Sequence, residues 1–433
     1  MNDVHWNDLQ PLKDILDDIE APNTVVNNKD IEDFKESVCY IVDDVINNNI
    51  HMYSDKHFDE LLFEIVLENV KKSYWEIINL FDFDVEGQVW DAIEIYFYKY
   101  NAFRSYSTTT IVNAPNNSKV KKLLTEYINT PQLEQRSKEW FEFRRSGLSA
   151  SDIWKAIDSQ SMQNSLIYSK CKPMNMKLSK STNINTAFHN GHLFEPLSIM
   201  HYEYDFNTTV GEFGCMAHKN YPYLLASPDG INIKEGNDRY GRMVEVKNPT
   251  TRELTGIPKK EYWIQMQLQM GVCKLNECDF LETKFYEYNS YNDFLDDSSL
   301  NNNLLSKEGE KKGMFMYFNG PNGSPKYIYP PTNLNFEQLE SWEQDQLQSN
   351  DLMWIRNIYW KLEVLSCVLV CRNKQWFNEA VKKIGEIWSI IETERISGYE
   401  HRAPTKRAKS EPIVQNKCLL NIVKLPSSSS CTS

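Results

Sequence analysis

The chain has 433 residues, a formal net charge of −13 and a 25% share of charged residues. This length is sufficient for two or three domains with substantial cores. Residues 1–20 are acidic and lack an apolar centre, so no secretory signal peptide is expected, and the most apolar stretch, 365–371, is too short to cross a bilayer. Nine cysteines without regular spacing fit reduced thiols better than a disulfide framework. We therefore expect an intracellular, soluble protein.

The negative charge is concentrated in the first part of the chain. From Met1 to Thr130 there are 11 Lys and Arg residues against 24 Asp and Glu residues, and the resulting net charge of −13 equals that of the whole chain. A polyanion would be repelled by this part and would need local basic groups in the remainder, which is neutral overall. Apolar residues at three- and four-residue spacings predict helices over 30–46, 57–81 and 90–100. We interpret 1–130 as an acidic helical domain, with a linker near 108–118.

The segment after residue 130 has a different character. A short helix is predicted to carry Trp140 and Arg144, Gly147 to end it, and Ser149 or Ser151 to cap the next helix. An arginine beside a helix N-terminus can hold a phosphate, but when this stretch is taken alone, an ordinary surface arginine beside a capping serine is the favoured interpretation. Residues 158–185 are polar and are predicted to be a loop. The pattern of 186–204 predicts a helix.

The most informative motif for a catalytic site is Ser227-Pro228-Asp229-Gly230, followed by Val244-Glu245-Val246-Lys247. Proline presets one turn dihedral and glycine permits the reversal, so the turn can place Asp229 beside the following strand. Side chains alternate along a strand, so Glu245 and Lys247 point to one face. Two carboxylates and a lysine on one face can hold a divalent metal and activate a water, which is equipment for hydrolysing a phosphodiester.

The rest of the chain supplies a helix, strands and a tail. Residues 261–272 predict a helix that presents Gln265 and Gln269 on one face, and 279–288 predict a strand. Later segments are predicted as follows: a loop over 289–312, a hairpin over 314–329, a helix over 336–359, a strand over 362–371, a helix over 375–396 and a disordered tail from about 398.

These motifs occur in a characteristic order. The chain runs W-x-x-x-R, then Ser149-Ala-Ser-Asp, G-x-x-x-E-P ending at Pro196, S-P-D-G, E-V-K and Q-x-Q-x-Q-M. This series resembles the lambda-exonuclease/YqaJ-like viral recombinase family of the PD-(D/E)XK nuclease superfamily, over about 131–288. The resemblance implies an α/β fold with a restriction-endonuclease-like core, in which helices flank a mixed central sheet, and here an all-helical N-terminal domain precedes it. With the Asn-, Ile- and Lys-rich composition, the architecture resembles a nuclease of a large DNA virus.

The resemblance also implies roles for particular residues. Asp229 and Glu245, together with the Val246 carbonyl, would hold Mg²⁺ or Mn²⁺, because hard cations prefer oxygen ligands. Lys247 would position or deprotonate the attacking water and stabilise the transition state, and Glu195 would complete the acidic cluster. The positions that grip a terminal 5′-phosphate correspond to Arg144, Ser151, Ser227 and Gln265.

The chain departs from the family pattern in two ways. Lys219 stands where some members carry another acidic residue, which leaves open whether one metal or two would bind. Residues 289–360 interrupt the core as an insertion of loop, hairpin and helix. The implied organisation is therefore a helical domain at 1–130, a nuclease core at 131–288, the insertion, a strand and helix at 361–397 that complete the core, and a tail at 398–433.

The predicted function is metal-dependent hydrolysis of DNA, as a 5′→3′ exonuclease on double-stranded ends, in viral recombination, repair or defence. Two alternatives stay open: a structure-selective endonuclease, and a non-catalytic DNA-binding or scaffold module on a nuclease fold. The expected partner is DNA, as duplex ends or single strands, and no membrane. Homo-oligomers occur in the family, and the acidic N-terminal region is a candidate surface for a protein partner. The expected location is the host cytoplasm or the site of viral DNA replication, with the nucleus left open.

Overall fold

The structure is a computed structural model. It describes residues 27–404 apart from 56, 76–77, 79–83, 101–103, 107–116, 132, 134–136 and 174–186. The predicted linker at 108–118 therefore lies largely outside the described residues, and so does most of the predicted tail. No helix in the described ranges is both long and apolar enough to cross a membrane.

Helices surround the sheet and make up the described N-terminal part. The helices are α1 Asn28–Asn48, α2 Phe58–Ser73, α3 Val85–Tyr100, α4 Asn117–Asn129, α5 Lys138–Arg145, α6 Ala150–Ile153, α7 Gln160–Cys171, α8 Ala187–Asp205, α9 Lys260–Cys273, α10 Tyr291–Asp296, α11 Phe336–Ser349 and α12 Lys374–Ser397. Short 3₁₀ turns occur at Ile50–Ser54, Trp154–Ile157, Pro321–Gly323 and Glu400–Arg402.

The strands form one large mixed sheet and two small ones. The strands are β1 Leu148–Ser149, β2 Val210–Gly211, β3 Met216–Ala217, β4 Leu224–Ala226, β5 Gly230–Asn232, β6 Met243–Lys247, β7 Glu277–Glu287, β8 Ser298–Ser299, β9 Asn302–Ser306, β10 Lys312–Asn319, β11 Pro325–Ile328 and β12 Met353–Cys371. The large sheet has the order β11-β10-β12-β7-β6-β5-β2. Only β6 and β7 pair in parallel within it, with α9 as their crossover. The predicted fold class, a mixed sheet flanked by helices after a helical N-terminal region, is confirmed.

The two faces of β6 have different environments because its side chains alternate. Val244 and Val246 pack with Tyr202 of α8 on one side. Met243 belongs to the main core, which includes the buried residues of α9 on the other side. The odd-numbered side chains Glu245 and Lys247 share this second face. Strand β6 therefore separates the helix that carries Glu195 from the helix that carries the glutamines.

The helices before residue 130 share a continuous hydrophobic core with the sheet and its helices. The core cluster that contains Val42 and Leu62 also contains Trp263 and Ile384. Tyr53 stacks on Trp263 with ring centroids 6.1 Å apart. Burial of this kind is the main favourable term in folding, so these helices help to hold α9 in place. The division of the chain into domains stays a prediction.

Several secondary-structure predictions are wrong. Residues 160–171, predicted as loop, form α7, because Leu166, Ile167 and Cys171 share one buried face despite the polar composition around them. The predicted helix over 336–359 ends at Ser349, and β12 begins at Met353 rather than at residue 362. The apolar and aromatic residues after Asn350 favour a strand, and they pair with β10 along its whole length.

The segment predicted as loop at 289–312 also contains structure. It forms α10 and the antiparallel pair β8 and β9, while the hairpin predicted after it is confirmed as β10 and β11. Ser290 caps α10 by accepting a hydrogen bond from the Asp293 backbone N–H at 3.1 Å. A short capped helix leaves little apolar periodicity in the sequence, which explains why the pattern did not reveal it.

Candidate active site

Asp229 lies directly beside the middle of β6. Strands β5 and β6 are antiparallel, and Gly230 pairs with Val244. The Asp229 Oδ2 atom accepts a hydrogen bond from the Val246 backbone N–H at 2.8 Å. The turn therefore brings the first carboxylate to the strand that carries the second carboxylate and the lysine.

Glu245 is the centre of a buried polar cluster. Its side chain is 0% exposed, and it forms an ion pair with Lys247 on the same strand face. Gln265 Nε2 donates to its Oε1 at 2.6 Å, and Gln269 Nε2 donates to its Oε2 at 2.8 Å. A buried carboxylate is costly unless it is paired and hydrogen-bonded, and this one has both kinds of partner.

The charges at this centre act strongly on one another. Burial raises the pKa of Asp229 well above its usual range, and the neighbouring charge of Glu245 raises it further, against the opposing effect of Lys247. Burial lowers the pKa of Lys247, but the attraction of Glu245 and Asp229 outweighs this and the pKa is raised overall. Two close carboxylates repel each other, and each favours protonation of the other. A cation placed between them would relieve that repulsion.

Glu195 approaches the same centre from the opposite side of the sheet. It lies on α8 beside Pro196, and its charge is among those that raise the pKa of Asp229. The structure thus brings Glu195 into electrostatic range of Asp229. The side chains of His189 and His192, on the same helix, lie outside the described ones.

Two of the residues predicted to bind a 5′-phosphate follow the parallel strands of the second, smaller sheet. Strands β1 and β4 are parallel, and Ser149 pairs with Leu225. Ser151 lies two residues after β1, in the short helix α6, and Ser227 directly follows β4. The guanidinium of Arg144 lies over the Trp140 ring, 4.6 Å from its centroid, on the helix just before β1.

The binding roles of these residues stay predictions. Ser151 is exposed, and its hydroxyl is 3.5 Å from that of Ser149. Gln265 lies at the acidic centre, since its amide donates to Glu245. Ser227 links the two regions, because its carbonyl accepts from Gln269 Nε2 at 3.4 Å.

The predicted set of site residues did not include two that lie at this centre. Gln269 contacts Glu245 as closely as Gln265 does, and the four-residue spacing that places both on one helix face was the available signal. Tyr262 is the second of these residues, because the centroid of its ring lies 5.2 Å from the Lys247 Nζ atom. No spacing rule relates a strand lysine to a tyrosine fifteen residues later.

The donor set at this centre fits a divalent metal ion. Asp229 and Glu245 supply carboxylate oxygens, which Mg²⁺ and Mn²⁺ prefer, and a ligand role for Glu195 stays a prediction. Burial and then the charge of Glu245 raise the pKa of Asp229, and a bound cation would favour its charged form. A metal role for the Val246 carbonyl stays a prediction.

Part of the chain is similar to a known protein family. Residues 139–276 match the YqaJ-like viral recombinase domain. The matched segment includes the β5–β6 centre, α8 and α9, so the resemblance stated from the sequence motifs is confirmed.

Two kinds of relative resemble the chain. It is 32% identical over 295 residues to the uncharacterized protein R354 of Acanthamoeba polyphaga mimivirus, across 60% of this chain and 53% of that protein, so the match spans about half of the relative's length. The alkaline exonuclease LHK-Exo of Laribacter hongkongensis resembles it with 18% identity and a TM-score of 0.35, over 60% of this chain and 94% of that one. Its complex with dAMP gives 17% identity and a TM-score of 0.34. At these values the structural likeness carries no argument about activity.

Proposed function

We propose that this protein is a metal-dependent DNA nuclease that works as a 5′→3′ exonuclease on double-stranded ends. The observation that carries the proposal is the convergence of Asp229, Glu245 and Lys247 at one point of the sheet. The YqaJ-like domain supports the substrate class. The mimivirus relative supports a setting in which viral DNA is recombined, repaired or defended.

The residues of the centre would have different roles in the proposed reaction. Asp229 and Glu245 would hold Mg²⁺ or Mn²⁺, which supplies charge neutralisation and Lewis acidity when bound. Gln265 and Gln269 fix the orientation of Glu245 by donating to its two oxygens. Lys247 would orient the attacking water and stabilise the negative charge that develops on the phosphorus oxygens. Glu195 would hold a further cation or a water on the α8 side.

The proposed 5′-phosphate site accounts for the choice of an exonuclease. Arg144 lies on the helix just before β1, Ser151 lies just after β1, and Ser227 follows β4 and is two residues from Asp229. A terminal phosphate held by donors at this edge would set the next phosphodiester at the acidic centre. Such contacts position the backbone without reading sequence.

The test uses linear duplex DNA labelled at one 5′ end and a closed circular duplex, each incubated with Mg²⁺, Mn²⁺ or EDTA. We expect the label to be released as mononucleotide with either metal, and the circle to survive. Asp229→Ala should abolish release. Asp205→Ala serves as a control, because Asp205 lies at the far end of α8 and pairs with Lys311.

The other outcomes separate the alternatives. Cleavage of the circle would replace the exonuclease with an endonuclease. Absence of cleavage under every metal condition, with DNA binding intact, would favour a non-catalytic module. Cleavage by Asp229→Ala at the wild-type rate would remove the proposed centre.

A further inference from the structure

The large sheet continues well past its catalytic end. Strand β6 stops at Lys247, which pairs with Glu282, but β7 runs on to Glu287. Those five residues carry the sheet about 17 Å further at a rise of roughly 3.3 Å per residue. Beyond Glu287, strand β12 pairs with β10, and β10 in turn pairs with β11 at the edge of the sheet. The residues predicted as an insertion therefore build a surface next to the catalytic centre.

One face of this extension carries two tyrosines and an arginine. Tyr317 pairs with Tyr327 on β11 and with Arg356 on β12. Directly paired residues of antiparallel strands point to the same face, so these three side chains lie together. The Tyr317 and Tyr327 rings are 5.2 Å apart between centroids, inclined at 38°, and both are partly exposed. We call Tyr317, Tyr327 and Arg356 the tyrosine platform.

The ion pair that Arg356 of the platform forms is weak. Arg356 donates to Glu287 at 2.8 Å, but its side chain is 52% exposed and that of Glu287 is 35% exposed. Exposed ion pairs contribute little stability. A phosphate could therefore compete with Glu287 for the guanidinium at small cost.

A chain of contacts joins the platform to the acidic centre. Tyr327 meets Phe315 edge to face at 5.9 Å, and Phe315 lies against Tyr329 at 4.9 Å. The Tyr329 hydroxyl donates to the carbonyl of Leu193, two residues before Glu195, at 2.6 Å. The charge of Glu195 contributes to the raised pKa of Tyr329, after burial and Tyr327.

The tip of the same extension is unusually apolar for a surface. Met353, Trp354 and Ile355 are consecutive and are 60%, 45% and 39% exposed. Contiguous exposed apolar groups often mark a binding surface. Aromatic rings beside an accessible cation form the combination that binds single-stranded nucleic acid, because every base has a face that can stack.

We propose that the tyrosine platform binds single-stranded DNA beside the catalytic centre. Bases stack on Tyr317 and Tyr327, and Arg356 contacts a phosphate of the same strand. The inference rests on the proposed function in one respect: digestion of one strand of a duplex leaves its complement single-stranded at this place. The platform would retain that complement while the enzyme advances.

The test measures DNA binding in EDTA, so that hydrolysis plays no part. Two probes are compared: a blunt duplex, and the same duplex with a 3′ single-stranded tail of about 12 nucleotides, within the range that single-strand sites cover. We expect the tail to tighten binding by wild-type protein. Tyr317→Ala/Tyr327→Ala should lose at least about five-fold in affinity for the tailed probe, the lower limit for one stacked base, and little for the blunt probe. Tyr317→Phe/Tyr327→Phe should keep the advantage, because stacking needs the ring and not the hydroxyl.

Two further variants make the test specific. Tyr40→Ala/Tyr98→Ala removes two tyrosines that are 71% and 83% exposed on α1 and α3, and it should leave both affinities unchanged. Arg356→Gln should reduce the salt dependence of binding to the tailed probe by about one phosphate contact. The Arg356→Gln substitution changes no core side chain, so this variant tests the proposal even if the Tyr317→Ala/Tyr327→Ala protein unfolds.

The inference is overturned if the tail adds nothing to wild-type affinity, or if the alanine and glutamine variants keep the full advantage of the tail. Failure of the nuclease proposal gives a different result. A protein that cleaves no DNA with any metal, yet needs Tyr317 and Tyr327 to bind the tailed probe, would retain the single-strand site without the activity.

Discussion

Glu245 shows how single residues define the candidate centre. Its carboxylate is buried, pairs with Lys247 and accepts from two glutamines of α9. Within the part of the chain that the structure describes, Gln269 Oε1 is buried without a hydrogen-bond partner. An unsatisfied buried oxygen is costly, and its presence suggests that the position of the Gln269 amide is set by Glu245.

Replacement of Gln269 should weaken metal binding. Gln269→Ala removes one of the donors that orient Glu245, and loss of such a partner typically costs 10- to 100-fold in metal affinity or activity. We expect the Mg²⁺ concentration for half-maximal cleavage to rise by about that factor. The measurement is a metal titration of the cleavage rate.

Gln267→Ala is the matched control for that titration. Gln267 lies on the same helix as Gln269, but its side chain donates to the Cys371 carbonyl at 2.9 Å and accepts from the Asn373 backbone N–H at 2.7 Å. It should lower stability and leave the Mg²⁺ dependence unchanged. Equal metal dependence in the Gln269 variant and the wild type would contradict the role given to Gln269.

At the scale of elements, α8 is tied to the sheet by buried polar contacts. Ser198 and Thr283 share a hydrogen bond at 2.7 Å, and Asn248, directly after β6, donates to both of their hydroxyls. Tyr202 donates to Asp279 Oδ2 at 2.6 Å. These bonds fix the helix that carries Glu195 relative to β6 and β7. Polar contacts of this kind specify one arrangement of an interface more sharply than apolar packing does.

His201 on α8 should make stability depend on pH. Burial lowers its pKa to about 4, with Lys311 lowering it and Asp205 raising it, while its ring meets Trp360 at 5.4 Å. Between pH 4 and the unfolded value near 6.5, the unfolded chain binds more protons, so this contribution rises with pH and is lost as pH falls towards 4. The slope from one such group is about 1.4 kcal/mol per pH unit.

The measurement is urea unfolding of wild type and His201→Leu at several pH values. The free-energy difference between the two should shift in favour of the variant as pH falls from 6.5 to 4, because leucine cannot bind a proton. A difference that stays constant over this range would show that the His201 environment is not as described.

At the scale of the whole molecule, the acidic N-terminal part of the chain packs onto the region that carries the candidate site. Ser105 donates to the Gly256 carbonyl at 3.1 Å, and Tyr106 pairs through its backbone with Leu369 of β12 at 2.7 and 2.9 Å. The excess negative charge up to Thr130 would repel DNA and so favour its approach from the remaining surface. The region thus contributes both to the core and to the field around the site.

Disruption of this contact should affect the whole molecule. Tyr53 is 3% exposed and stacks on Phe58 and Trp263, so Tyr53→Ala should destabilise the protein by about 3 kcal/mol. We expect far-ultraviolet circular dichroism and tryptophan fluorescence to shift together in urea unfolding. An early transition confined to part of the signal would instead indicate an independent N-terminal domain.

The features that could be predicted from the sequence are those that depend on residues close together in the chain. The two-residue alternation of β6 placed Glu245 and Lys247 on one face, and the turn at Pro228 placed Asp229 beside them. The length of β12 was not predictable, because its first half is specified by pairing with β10 rather than by its own pattern. The contribution of Tyr53 to the core was equally hidden, since its partner Trp263 is more than two hundred residues away.

The most direct test of the central claim is the cleavage rate of Glu245→Gln at saturating Mg²⁺, with DNA binding measured in EDTA. The substitution keeps the shape of the side chain and removes the charge that pairs with Lys247. We expect the rate to fall at least about 100-fold, as for removal of a group that acts in the transition state, with DNA affinity nearly unchanged. Cleavage at the wild-type rate would contradict the assignment of this cluster as the active centre.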